Sequence, residues 1–337
     1  VATYIFPTNQ ELKQVEQDKL PALTTNDPIF QHFPMVDVDS HVLSWEQRDN
    51  YKGLQQVRGL NGQPKRVNAI GGKRFTIEPG IYGEFMPIDE LELTTRRQWG
   101  TQDMPINVED LVMEKQDQLL NRRLDLIKSV LWKLATTGTF TVLNDQGIQL
   151  YAGTFALQTA SASVAWGTSA TAKPLGDFRA VQLLSRGHSV SFGSGATAYM
   201  NRVTFNKMIS NTNAADLAGR RTSGLNTVLN LEEVNKVLMG EDLPQVAVWD
   251  DGYINDAGTF VPFIADDKVA IFGVRPGNQV LGDYAMTRNA NNPNLEPGSY
   301  TKVVDNEDDV PRRIIVHDGH NGGPRIYFPS AIVILST

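Results

Sequence analysis

Asp37-Val38-Asp39-Ser40-His41 is the stretch whose residue types come closest to a catalytic arrangement. In an extended strand Asp37, Asp39 and His41 share one face. Two carboxylates and an imidazole so placed could hold a divalent metal, and with it a metal-dependent hydrolysis. Such a centre needs further imidazoles from later strands. Only His32, His188, His317 and His320 remain, and the chain lacks the regular alternation of strands and helices that would bring them round. The polar face of a strand is the simpler reading.

The remaining clusters are weaker. His317-Asp318-Gly319-His320 runs into Asn321-Gly322-Gly323-Pro324, which reads as a tight connection between two strands. Phe192-Gly193-Ser194-Gly195 is too short for a phosphate loop and lacks its Lys-Ser/Thr ending. No Gly-x-Ser-x-Gly elbow is present. Glu307-Asp308-Asp309 has no calcium-ligand spacing and reads as a solvated turn. The expectation is a chain that is not an enzyme and uses no cofactor or metal.

Composition narrows the class further. The 337 residues are 41% hydrophobic and 20% charged, enough for a sizeable core and about two domains. The net charge is -7, and the basic residues are scattered in pairs such as Arg96-Arg97, Arg122-Arg123 and Arg312-Arg313. A surface built to grip nucleic acid would gather them into a patch. Cysteine is absent, which removes disulfides and thiolate metal sites and suits a reducing cytoplasm. No apolar run approaches the ~20 residues of a membrane span. Val1–Phe6 lacks the basic start and apolar core of a signal peptide.

The elements form an unusual series. Residues 1–50 carry lone apolar clusters between prolines and read as an arm, which needs another surface to lie on. Residues 51–100 read as an extended β-hairpin loop. Strand-like pieces Gln55–Arg58, Arg66–Ile70 and Lys73–Ile77 flank the turn formers Asn61-Gly62 and Gly71-Gly72. A hairpin this poor in apolar residues is marginal alone. It is expected to lie over an adjacent subunit, with Arg58, Lys65, Arg66, Lys73 and Arg74 as intersubunit contacts. Apolar spacing then predicts one long helix over 108–135, capped by Asn107 and ended by Gly138, with acids early and bases late. Thr159–Lys173 reads as a surface loop. Helices are expected near Asp177–Ser185, Val203–Ile209 and Leu231–Met239. Strands are expected at Thr197–Met200, Gln245–Trp249, Lys268–Gly273, Arg313–Val316 and Ala331–Leu335, with a hairpin turn at Asn255–Gly258. The fold class is α+β.

Four segments, in this order, carry a resemblance. They are Asn26-Asp27-Pro28-Ile29-Phe30, the run Gly83–Leu93 with Arg96-Arg97 and Pro105, Tyr199-Met200-Asn201-Arg202-Val203-Thr204-Phe205, and Ile326-Tyr327-Phe328-Pro329-Ser330-Ala331-Ile332. Together they resemble the phage lambda-type major capsid protein family, capsid protein E, whose subunits have the Hong Kong 97 capsid fold. The resemblance implies an N-terminal arm (1–50) and an extended loop (51–100). It also implies a peripheral domain (101–197 and 286–323) holding the spine helix, and an axial domain (198–285 and 324–337). It implies a major head protein that self-assembles into an icosahedral shell around viral DNA. Its partners would be further copies of itself in hexamers and pentamers. Scaffolding, portal and cement or decoration proteins would join them, with packaged double-stranded DNA held without sequence specificity and no membrane. The location would be the virion, after assembly in the bacterial host cytoplasm. Some relatives join subunits through a Lys–Asn isopeptide bond; Lys65 and Lys73 lie on the loop, but no triad is fixed by the sequence. Asp37-Val38-Asp39-Ser40-His41 is similar to the opening motif of some amidohydrolases. A hydrolase using Asp37, Asp39 and His41, or a phage tail structural protein, are the rival readings.

Overall fold

The segment read as an arm opens with a helix that no apolar stripe announces. The computed structural model describes residues 7–48, 54–67, 72–97, 106–143, 149–168, 170–211, 230–275, 277, 280–292, 295–306 and 312–337. In it α1 spans Asn9–Thr25 behind a complete capping box. The Thr8 hydroxyl accepts from the Glu11 amide, and the Glu11 carboxylate accepts from the Thr8 amide at 2.7 Å. Only Leu12 and Glu16 of α1 are buried. α2 (Pro28–His32) follows, capped by Asp27, and then β1 (Met35–Asp37).

β2 (Leu43–Arg48) and β3 (Gly72–Ile77) form an antiparallel ribbon with Leu43 opposite Ile77 and Arg48 opposite Gly72. Residues 54–67 lie between them with no strand, so Gln55–Arg58 and Arg66-Val67 are not strand pieces; Asn68–Ile70 lie outside the described residues. The Asn61-Gly62 turn is present, with the Gly62 amide donating to the Gly59 carbonyl at 3.0 Å. Gly72 opens β3, while Gly71 is outside the described residues. β4 (Gly80–Ile88) and α3 (Glu90–Thr95) come next.

α4 (Val108–Thr137) is one continuous helix, a turn fraction longer than expected. Asn107 caps it, and Gly138 ends it at φ 72, a left-handed conformation in which its amide reaches the Leu134 carbonyl at 2.8 Å. Leu119, Leu120, Leu124, Ile127 and Leu131 are all buried. Leu120→Pro would remove one helical hydrogen bond and drive a ring into the preceding turn, at a cost of about 3 kcal/mol or more. The variant is expected in the insoluble fraction; soluble particles of normal sedimentation would overturn this role for α4.

The rest of the chain supplies β5 (Thr139–Leu143), β6 (Gln149–Thr154), β7 (Gln158–Ser161), α5 (Pro174–Leu183), β8 (Thr197–Met200), α6 (Arg202–Ile209) and α7 (Leu231–Gly240). After these come β9 (Gln245–Val248), β10 (Gly252–Ile254), β11 (Phe260–Pro262), β12 (Lys268–Phe272), β13 (Gly282–Met286), β14 (Ser299–Asn306), β15 (Arg313–Ile326) and β16 (Ile332–Ser336). The Asn255–Gly258 turn joins β10 to β11, with the Asn255 amide on the Thr259 carbonyl at 3.0 Å.

Two larger sheets flank the long helix. In the first, β15 is central. β4 pairs along Ile314–Gly322 on one side, and β14 and β13 pair end to end on the other, with β1 beside β13. The His317–His320 cluster therefore lies inside a continuous strand and is not a connection between two strands. β4 also departs from the sequence reading: it is part of the subunit's own sheet, so the projecting piece ends before residue 80. The second sheet runs β7-β16-β12-β8-β9. Thr159–Lys173 is correspondingly less of a loop than expected. It begins in β7, and Trp166 is fully buried, its indole N–H on the Asp177 carboxylate at 2.9 Å. One core cluster, around Trp132, Tyr199, Phe272 and Tyr284, joins α4 to both sheets.

Candidate functional site

Arg58, Lys65 and Arg66 all stand exposed on residues 54–67, and Lys73 and Arg74 stand exposed on β3. The 54–67 segment contains no Asp or Glu. Leu54, Val57 and Leu60 are fully exposed there. Isolated exposed leucines are ordinary on protein surfaces; here three bare apolar side chains share one short segment.

The base of this projection is rigid. Trp45 of β2 is buried, stacks on Phe75 of β3 at 5.7 Å and on Phe155 at 5.9 Å. Its indole N–H donates to the Ile326 carbonyl at 2.7 Å, and the Gln47 amide donates to the same oxygen at 2.8 Å. The ribbon thus leaves the body at the end of β15.

The metal-like motif is not assembled. β1 ends at Asp37, so Asp39 and His41 do not continue its face. Asp39 is bonded to the Arg288 guanidinium instead, and the Asp37 carboxylate lies against Gly298. Among the described residues no group of three or more His, Cys, Asp or Glu could hold a metal ion.

A buried charge cluster is present that sequence reasoning missed. Arg123 on α4 donates to the Asp318 carboxylate at 2.8 Å and to the Glu16 carboxylate of α1. Ser299 donates to Glu16 at 2.7 Å, and Thr301 donates to Asp318 at 3.1 Å. All three charged side chains are buried. Burial is the main cause that pushes the Asp318 carboxyl up to about 6, with the Glu16 charge adding; Arg123 and the Thr301 hydroxyl oppose it. Two residues along, buried His320 is pushed down to about 3 by desolvation and by Arg123. Its Nε2 faces the Tyr284 hydroxyl at 2.9 Å, and its ring stacks on Tyr82 at 4.8 Å.

These two shifts have opposite consequences for stability. Between its ordinary value of ~4 and about 6, Asp318 holds a proton only in the native state. Its contribution therefore weakens as pH rises through that window. His320 takes up a proton near its ordinary ~6.5 only when unfolded, so its contribution is lost as pH falls from there toward about 3. Over pH ~4–6 the two slopes oppose each other. Asp318→Asn removes one of them. Its urea midpoint is expected to fall more steeply than the wild type's between pH 7 and 4.5; parallel curves would refute the assignment.

The chain matches the phage major capsid protein E family over residues 28–317. A protein described as a capsid protein of a prophage in Escherichia coli CFT073 superposes with a TM-score of 0.63 at 14% identity, covering 98% of this chain and 99% of that one. A phage-related protein from Bordetella bronchiseptica RB50 gives 0.56 at 10% identity, covering 96% of each chain. The capsid of Myoviridae phage XM1 gives 0.50 at 13%, covering 90% of this chain and 89% of that one. No protein of curated function matches the sequence. At these identities the structural likeness is one of fold, the Hong Kong 97-type capsid fold. With the family match spanning most of the chain and the fold shared nearly end to end, this chain belongs to the phage major capsid protein E family.

Proposed function

We propose that copies of this chain close into hexamers and pentamers and then into an icosahedral shell around double-stranded DNA. The observation that carries the reading, beside the family, is the bare 54–67 segment. It is exposed at every residue, cationic and apolar, on a ribbon whose base is locked by Trp45. A monomer has no use for such a projection, whereas a neighbour covers it. Arg58, Lys65, Arg66, Lys73 and Arg74 are the proposed intersubunit contacts.

The unit boundaries belong to the same proposal. Residues 1–50 act as the arm, and residues 51–79 as the extended loop. The peripheral unit is built on α4 and the first sheet, with β13 following its strand partners into it. The axial unit is built on the second sheet, with β7 included. Each copy repeats the same heterologous contacts, so modest pairwise affinities sum over the lattice, and rotation closes them into rings. Scaffolding, portal and cement proteins are the proposed assembly partners, in the host cytoplasm. DNA is held by confinement, consistent with the net charge of -7.

Negative-stain electron microscopy of the full chain expressed with its neighbouring scaffold gene tests this reading. Closed shells are expected. Open tubes would favour a tail protein, and dispersed monomers at high concentration would overturn the assembly reading.

A further inference from the structure

The dipeptide Asn-Gly occurs twice in the chain, at Asn61-Gly62 and at Asn321-Gly322. In this pairing an asparagine can react with its own backbone. Glycine has no Cβ to shield the amide nitrogen that follows the asparagine. That nitrogen can reach the side-chain carbonyl carbon and close a five-membered ring. The reaction needs a backbone free to bend and an amide able to lose its proton. The fold treats the two sites in opposite ways.

Asn321-Gly322 is locked in β15. Asn321 pairs with Ile81, and Gly322 pairs with Gly80 on one side and Met286 on the other. The Asn321 side-chain amide donates to the Arg288 carbonyl at 2.9 Å, and its side-chain oxygen accepts from Asn289 at 3.2 Å. Its main-chain carbonyl accepts from the Thr287 amide at 2.7 Å. Ring closure there would have to break pairing on both sides of the strand.

Asn61-Gly62 is open. Both residues are exposed and lie outside any strand. The Gly62 amide is held by one bond, to the Gly59 carbonyl at 3.0 Å, and a Cβ on Gly59 would meet nothing within 4 Å. The Arg58 guanidinium donates to the Gly62 carbonyl at 3.3 Å, and the segment 54–67 holds Lys65 and Arg66 but no acid. Cations beside an ionising group favour its deprotonated form, which here is the attacking one.

We propose that Asn61 is a self-modification site that deamidates in the unassembled subunit, while Asn321 stays intact. The deprotonated Gly62 nitrogen attacks Asn61 Cγ. The N–Cγ bond forms, the Cγ–Nδ2 bond breaks, and Nδ2 takes up a proton and leaves as ammonia. Water then opens the ring. Cleavage of the new N–Cγ bond leaves aspartate; cleavage of the original peptide bond leaves isoaspartate, with the chain running through Cγ. An amide and water become a carboxylic acid and ammonia, and nothing is oxidised or reduced. Arg58, Lys65 and Arg66 are the charges of 54–67, so its net charge falls from three to two. Isoaspartate also lengthens the backbone inside the Gly59–Gly62 turn. A subunit left unassembled therefore loses competence with time, a consequence that rests on the shell reading above.

Purified full-length subunits, kept dilute in mildly alkaline buffer for days, are digested with pepsin at acidic pH and weighed by mass spectrometry. The peptide carrying Asn61 is expected to gain about one dalton, faster as pH rises, while the Asn321 peptide keeps its mass. Gly62→Ala is expected to slow the gain severalfold. Alanine fits there, because Gly62 is not left-handed and its Cβ would come no nearer than 3.4 Å to Gly59. No gain at Asn61, an equal gain at Asn321, or an unchanged rate in Gly62→Ala would overturn the assignment. Expressed with the scaffold gene, Asn61→Asp is expected to give severalfold fewer shells, and Asn61→Gln, which keeps the amide, a wild-type yield. Equal yields from Asn61→Asp and the wild type would overturn the effect on assembly. Failure of the wild-type chain to form shells would overturn the proposed function, while the mass gain at Asn61, read on the subunit alone, still decides the modification.

Discussion

Arg123→Ala should yield almost no soluble subunit. Among the described residues the guanidinium is the one cation that pairs with the buried carboxylates of Glu16 and Asp318. Removing one partner of a buried ionic group costs about 3–5 kcal/mol, because the remaining charge is left uncompensated. A domain's whole stability is about 5–15 kcal/mol, so this loss alone approaches the threshold. Surface pairs do not compensate. Lys19–Asp117 at 2.6 Å and Lys13–Glu296 at 3.9 Å also hold α1, but exposed pairs contribute about 1 kcal/mol or less. Neutralising the site as a unit, with Arg123→Met, Glu16→Gln and Asp318→Asn together, should recover soluble protein, since no charge then remains buried. Soluble yield and urea denaturation report both outcomes. An Arg123→Ala variant with the wild-type midpoint would show that the cluster does not hold α1, α4 and β15 together.

Removing the loop should have the reverse profile, with folding intact and assembly lost. Replacing residues 55–66 by a short Gly-Ser link leaves β2, β3 and the Trp45–Phe75 stack in place. The excision must stop short of Phe75, because that ring packs on the buried core. Circular dichroism and thermal midpoint are expected to match wild type, since every removed side chain is exposed. Closed shells are expected to be absent. Covering Val57 and Leu60 alone is worth about 3 kcal/mol or more per copy, repeated at each neighbour. Unfolding of the variant would make the loop part of the core. Shells of unchanged stability would remove it as the clamp between subunits.

Much of the framework is legible from local pattern. α4 declares itself through apolar spacing, Asn107 and Gly138, all of which act within one helix. The strands at 197–200, 245–248 and 268–272 and the turn at 255–258 are equally local. The order of four short segments sufficed to place the chain in its family.

Other features were settled by tertiary contacts. α1 escapes a periodicity reading because its buried side chains are one leucine and one glutamate, and the glutamate belongs inside only when Arg123 is there to meet it. β15 runs through Gly319 and Asn321-Gly322-Gly323-Pro324, residues that locally signal a turn. They stay extended because β4 pairs on one side and β14 and β13 on the other, and because the Tyr300 ring occupies the space a Cβ on Gly319 would take. Glu16, Arg123 and Asp318 are separated by 107 and 195 residues, so no spacing motif could have joined them. Turn and helix preferences act over a few residues and are written along the chain. Buried charge pairing and the pairing of strands far apart in the chain depend on what the fold brings to within a few ångströms, and only the assembled structure decides that.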